Sequence, residues 1–173
     1  RLAEENNNNT LAIQLRCDIA QARKANGDYK AALDEYERAL VMLSQIDHLP
    51  TRGLVLSNAA TLYTETGDIE TALAFYQESI EIARATHDTH AESLRLGNLG
   101  WFYTLTGNLG TAVDVLEQAV QLSRRLEDTL MIAVQTNNLA RTYFRNQEYE
   151  TARTLQKQSV AAATALDAKR WLA

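Results

Sequence analysis

Apolar residues along this chain recur at three- and four-residue steps, in stretches interrupted at regular intervals by glycine, aspartate or asparagine. Between Leu94 and Tyr103 they fall at Leu96, Leu99 and Tyr103, and between Ala112 and Leu122 at Val113, Leu116 and Val120. That spacing places them on one face of a helix and does not fit the alternation of a strand. Gly27-Asp28-Tyr29, Gly67-Asp68-Ile69, Gly107-Asn108-Leu109 and Gln147-Glu148-Tyr149 stand forty residues apart. Five positions after each comes an alanine: Ala32, Ala72, Ala112 and Ala152. Seven positions before it the residue is small: Ala20, Ala60, Gly100 and Ala140.

The pattern predicts four helix–turn–helix units. First helices are expected near 10–26, 50–66, 90–106 and 130–146, second helices near 28–46, 68–86, 108–126 and 148–166. Short loops containing Asp47, Asp88 and Asp128 join the units. The glycine ends the first helix in the left-handed conformation, which other residues reach at a cost of about 1–2 kcal/mol. The Asp or Asn after it is placed to cap the second helix. The fixed small residues mark a close helix crossing, where added methylenes would force the two helices apart.

Leu99, Gly100, Tyr103, Gly107, Ala112 and Ala119 carry a nearly complete pattern that resembles the tetratricopeptide repeat, and the likeness runs from about Thr10 to Asp167. At forty residues the unit is longer than the usual repeat of about 34. It is therefore similar to the extended variety of kinesin light chains, spindle adaptors and bacterial signal-transduction ATPases of the maltose-activator (STAND) type. The resemblance implies an all-α fold, a right-handed α-solenoid of four such repeats. Its repeats are expected at about 10–47, 50–88, 90–128 and 130–167 of a single array, 1–173. Two repeats depart from the pattern. The first has Arg16 and Arg23 at packing positions, and the fourth has Gln147, Gln156 and Ser159 for glycine, aromatic and alanine. End repeats are often more polar because one side faces water.

Composition narrows the function classes. The net charge of −5 argues against nucleic acid as a partner, since that needs a basic face. No apolar run reaches the roughly 20 residues of a membrane span, and no signal peptide is visible. The single cysteine, Cys17, forms no intrachain disulfide, which fits a reducing, cytoplasmic location. Arg1 to Glu5 reads like the tail of a helix and Lys169 to Ala173 like the start of another, so a piece of a longer protein is expected.

The resemblance implies that the first helices line a concave groove. Groove positions are then Asp18, Asn58, Asn98 and Asn138 in one row, with Cys17, Ser57, Gly97 and Asn137 beside them. Next come Gln21, Thr61, Trp101 and Arg141, then Lys24, Thr64, Thr104 and Phe144, with Glu65 and Arg145 adjacent. An asparagine amide both donates and accepts, so a ladder of them suits an extended peptide backbone; equally, such residues bond neighbouring helices. Trp101 and Phe144 both suit binding anchors and equally suit partly buried packing residues; for Phe144 packing is the expectation. The first helices carry seven basic residues against three acidic ones, and the second helices are acidic. That asymmetry favours an anionic ligand segment, with Arg141 and Arg145, one turn apart, as carboxylate contacts. Solvated helix-end charges are the alternative reading of these arginines.

No catalytic constellation, phosphate loop or nucleophile elbow appears. His48, His87 and His90 all fall in loops without a convincing ligand set, so no metal and no cofactor is expected. The sequence thus points to a non-enzymatic scaffold that binds a protein or peptide, as part of a larger regulatory protein. A sensor domain for a small effector and a self-association module are the alternatives.

Overall fold

A computed structural model describes residues 2–46 and 48–171, with side chains from residue 9 to 166. The described residues form eight α-helices: α1 (Leu2–Ala25), α2 (Tyr29–Leu43), α3 (Leu49–Thr66), α4 (Ile69–Ala85), α5 (Thr89–Thr106), α6 (Leu109–Arg125), α7 (Thr129–Arg145) and α8 (Tyr149–Trp171). Asp47, expected in the first connecting loop, and the terminal Arg1, Leu172 and Ala173 lie outside them. The helices fall where the forty-residue register places them. The main differences are α1, which starts earlier than expected, α2, which stops at Leu43 rather than 46, and α8, which runs on to Trp171.

Side-chain caps set the starts of α2, α3, α4, α5 and α7, whereas Asn108, expected to cap α6, makes no side-chain cap bond. Asp28, Asp68, Asp88 and Asp128 each accept the backbone N–H three residues on, at 3.3, 3.1, 2.9 and 2.9 Å. These bonds satisfy donors that the helix itself leaves open. His48 does the same for α3 through Nδ1, with Thr51 N at 3.4 Å. Helix ends are set by left-handed residues. Gly27, Gly67 and Gly107 have φ of 80°, 88° and 87°, and Gln147 adopts the same conformation at 64°. A second left-handed position also recurs with the forty-residue period, at His87 and Glu127, both with φ 54°. No glycine marks it, so the sequence pattern gives no sign of it.

The chain divides into two compact units, 1–86 and 87–173, each holding two helix pairs. In the first, α1 packs on α2, α2 on α3 and α3 on α4, and α1 also touches α3. Its core is built from Ile13, Cys17, Tyr36, Val55 and Leu62 around the buried alanines Ala20, Ala32, Ala39 and Ala59. Tyr63 meets Phe75 edge-on, ring centroids 5.5 Å apart. One repeat earlier the equivalent positions are Arg23 and Glu35, and the aromatic contact is replaced by charge. Buried Glu35 accepts from Arg16 Nη1 at 2.7 Å, with Arg38 Nη1 at 3.4 Å and Arg23 Nη2 at 3.6 Å. The polar residues of the first repeat are therefore one concerted exchange around a buried carboxylate.

In the second unit α5 packs on α6, α6 on α7 and α7 on α8, while α5 also touches α7. Leu139 and the partly buried Tyr143 of α7 pack against Leu116, Val120 and Val113 of α6. The smallness of Gly100 has a direct cause: a Cβ there would stand 2.5 Å from Leu116 Cγ. Gly97 is constrained in the same way by the side chain of Gln135. Ser159, which replaces the expected alanine, is buried and donates to Ala133 O at 2.7 Å, so its hydroxyl is satisfied. No described helix is long and apolar enough to cross a membrane.

Candidate functional site

Because α5 touches α7, the two first helices of the second unit lie side by side and present their polar positions together. Asn98 and Trp101 are three residues apart on α5, as are Asn138 and Arg141 on α7, and residues so spaced share a helix face. The two helices are tied by buried hydroxyls. Thr104 Oγ1 and Thr142 Oγ1 lie 2.7 Å apart, each also 2.9 Å from the carbonyl four residues back in its own helix; one hydroxyl donates to the other, which donates to its own carbonyl. Arg145 Nη1 adds a bond to Thr104 O at 3.0 Å, which fixes the arginine across the helix pair.

Above this tie lies a pocket of about 690 Å3. The Arg141 guanidinium stacks on the Trp101 ring, 3.9 Å from its centroid, and forms one wall. Phe144 and Tyr149 form another, their rings edge-on with centroids 5.4 Å apart. Phe144, expected from sequence to pack, is instead 63% exposed here. Packing fails because position 144 corresponds to Thr104, which faces the following first helix, and no described helix covers α7 in that way. Leu105 completes the apolar lining, and Arg145 and Arg153 complete the basic one. No aspartate or glutamate lines the pocket, and Arg141, Arg145 and Arg153 have no carboxylate partner among the described residues. A stacked guanidinium keeps its in-plane N–H groups, so the site offers forked donors beside aromatic faces.

The sequence-derived candidates divide between pocket and surroundings. Trp101, Arg141 and Arg145 come together in the pocket. Asn98, Asn137 and Asn138 are half-buried on the same helices but outside its lining. Neither Asn137 nor Asn138 makes a side-chain hydrogen bond among the described residues. In the first unit Asn58 is half-buried on α3 and Asp18 exposed on α1, where Gln14 Nε2 donates to it at 3.5 Å. Lys24 and Glu65, both groove positions by the repeat register, are paired with each other at 2.7 Å. Several first-helix charges are likewise engaged in packing: Arg52 pairs with Glu78 at 2.7 Å, and Arg95 is buried. Burial also drives the Arg95 pKa down, against the opposing charge of Asp88.

Tyr149, Ala152, Arg153 and Gln156 of α8 also line the pocket, and sequence reasoning assigned none of them to the site. The signal was available in the register. Arg153 and Gln156 occupy positions held by Leu73 and Tyr76 in the second repeat and by Val113 and Leu116 in the third. Elsewhere in the unit His90 Nε2 lies 3.3 Å from Asp128 Oδ2, and no group of three or more metal-ligating side chains assembles among the described residues.

Family models of the tetratricopeptide repeat match residues 51–125 and 132–166. No curated protein matches the chain in sequence. Among solved structures, it is similar to BtubC (BKLC) from P. vanneervenii, with TM-score 0.80 and 17% identity over 92% of this chain and 66% of that one. It is similar to the STAND protein with a tetratricopeptide repeat sensor, PH0952, from Pyrococcus horikoshii. There the TM-score is 0.79 and the identity 15%, over 94% of this chain and 25% of that one. A Rap protein complexed with competence and sporulation factor gives TM-score 0.77 and 16% identity, over 88% and 43% of the two chains. The chain thus spans less than two thirds of the length of these three, and identities this low speak for the fold.

Proposed function

This chain belongs to the tetratricopeptide-repeat family, and on that premise we propose that it is a non-enzymatic scaffold that binds a protein or peptide segment bearing carboxylates. The observation that carries this reading is the α5–α7 face of the second unit. There Arg141 and Arg145 stand without acidic partners beside Trp101 and an exposed Phe144. Uncompensated guanidinium groups next to apolar surface favour a ligand that supplies both a carboxylate and a bulky side chain. Asn138 and Asn137, with amides that bond no described residue, suit the backbone of the same ligand in extended form. Asn98 and Trp101 present the matching row from α5. Asn58 and Asp18 hold the corresponding register positions in the first unit, and they extend the proposal to that unit's own face. The Rap protein's complex with competence and sporulation factor supports the idea that this fold can hold such a factor. A role within a larger regulatory protein follows from the same reading.

Selection of random peptides displayed on phage against the immobilised chain tests it. Enriched sequences should pair Asp, Glu or a free carboxyl terminus with an aromatic or large aliphatic residue. Synthetic versions should lose about tenfold in affinity to Arg141→Ala, and also to Asn98→Ala with Asn138→Ala, while thermal melting stays cooperative. Enrichment of basic peptides, or affinity unchanged in both variants, overturns the assignment. A second reading, a sensor of a small effector, is favoured by the pocket's volume, which lies in the range of small-ligand sites. Saturable binding of a small carboxylate that blocks every selected peptide would favour it.

A further inference from the structure

The repeat register shows how a first helix seats on the helix pair before it. In the second unit α7 places Leu139 and Tyr143 against Val113, Leu116 and Val120 of α6, and the Tyr143 hydroxyl donates to Glu117 at 3.3 Å. The seat on α2 uses the same positions, Leu33, Tyr36, Glu37 and Leu40, and the register repeats them along α4 as Leu73, Tyr76, Gln77 and Ile80. On α8 these positions read Arg153, Gln156, Lys157 and Val160, and all four are exposed. Apolar side chains have become basic or polar at two of the four, and the acceptor Glu117 has become the donor Lys157.

A face turned only toward water would account for Arg153 and Lys157. It does not account for the apolar surface left beside them. Val160 is 55% exposed and Tyr149 56%, next to the exposed Phe144. Arg153, Gln156, Lys157 and Val160 line a trough of about 420 Å3, which shares Arg153 and Gln156 with the larger pocket. Neither has an acidic residue in its lining. The two together form one continuous surface, basic along its length and apolar on its floor.

We propose that this α7–α8 seat takes an acidic amphipathic helix from a partner protein, laid where a following first helix would lie. The occupant sets carboxylates against Arg141, Arg153 and Lys157 and an apolar stripe against Phe144, Tyr149 and Val160. A helix like α3, α5 or α7 does not fit this seat. It would bring the tyrosine of Tyr63, Tyr103 or Tyr143 opposite Lys157, which offers no acceptor, and apolar residues opposite Arg153. The proposal goes beyond the extended-peptide reading, because it adds a helical ligand and a surface on α8. The two are separable by variant: Asn98 and Asn138 serve the first, Arg153 and Lys157 the second.

The probe is a fluorescein-labelled synthetic amphipathic peptide of about five helical turns, with glutamates flanking a leucine–phenylalanine stripe. Controls carry lysine for every glutamate, or a central proline pair that forbids the helix. Fluorescence anisotropy with the full chain should show binding by the acidic helix alone. It should weaken as salt rises, and circular dichroism should show a gain of helix in the complex. Arg153→Glu with Lys157→Glu, both at exposed positions, should reduce affinity about tenfold or more. Asn98→Ala with Asn138→Ala should leave it unchanged. Equal binding of the proline peptide, or loss with the asparagine pair, moves the ligand to the α5–α7 face and overturns the proposal. Absence of binding marks this face of α8 as simply solvated and overturns it too. So does a concentration-dependent dimer in sedimentation that the charge reversal abolishes, since that assigns the seat to a second copy.

Discussion

Replacing Glu35 with glutamine isolates the buried charge that distinguishes the first repeat. Glu35 is 4% exposed, and glutamine keeps its shape while removing the charge that three arginines share. The 2.7 Å bond from Arg16 is short and charge-assisted, a class worth about 1.5–3 kcal/mol. The Arg16 side chain is 34% exposed, so water recovers part of that loss, and the value falls toward the lower end. Arg23 and Arg38 are longer and more exposed contacts, worth roughly 0–1 kcal/mol each. Together these give a loss of about 2 kcal/mol for Glu35→Gln. A second variant, Arg16→Leu with Glu35→Phe, installs the residues that the next repeat carries at the equivalent positions, Leu56 and Phe75. Exchanging a buried ion pair for packed apolar groups is often neutral or better, so this variant should lie within about 1 kcal/mol of the parent or above it. Urea unfolding followed by circular dichroism reads both, provided the m-value is unchanged. A shift below about 0.5 kcal/mol for Glu35→Gln, or an equal loss in the double variant, would refute the exchange.

Ala112, fully buried at the crossing of α5 and α6, should not accept leucine; Ala112→Leu is expected to cost about 1–3 kcal/mol by overpacking, and an unchanged thermal midpoint would deny the crossing. Gln147 holds a left-handed conformation that glycine adopts freely, so Gln147→Gly should stabilise by about 0.5–1 kcal/mol once the entropy of glycine is subtracted. A lowered midpoint would show that the Gln147 side chain has an unrecognised role. Cys17 and Tyr36 should make the fold alkali-sensitive. Burial, assisted by Asp18, pushes the Cys17 thiol from 9.0 up to about 11, and burial pushes the Tyr36 hydroxyl up to about 12. The unfolded chain then releases these protons first, so their contribution is complete below about pH 9 and declines as pH rises toward 11 and 12. Unfolding free energies measured from pH 8 to 12 should fall, less steeply in Cys17→Ala, whereas a flat profile would contradict the burial.

Much of the α5–α7 half of the candidate site is legible in the sequence. Trp101, Arg141 and Arg145 were readable because each occupies a fixed slot in a forty-residue period, and the period assigns slots to faces. The α8 half is not legible there, since the family likeness places the groove on the first helices and the second helices pack behind them. That assignment holds for Leu116 and fails for Gln156, its equivalent forty residues on. Phe144 was misjudged for the same reason: its register slot is buried only where another first helix covers it, as at Thr104.

The sequence by itself determined the helices, their starts and ends, and the close crossings. These depend on local chemistry: apolar spacing at the helical period, aspartate caps, glycines at left-handed ends, and small residues repeated at one slot. Tertiary structure alone decided which polar residues meet. Arg16 reaches Glu35 and Arg52 reaches Glu78 across 19 and 26 residues of chain. Arg145 reaches the Thr104 carbonyl across 41. Such pairings turn on distances of a few ångströms between side chains of different helices, which periodicity along one helix does not contain. The same holds for exposure. Whether Phe144 and Arg153 are core or surface depends on what stands against them, and that is a property of the packed molecule.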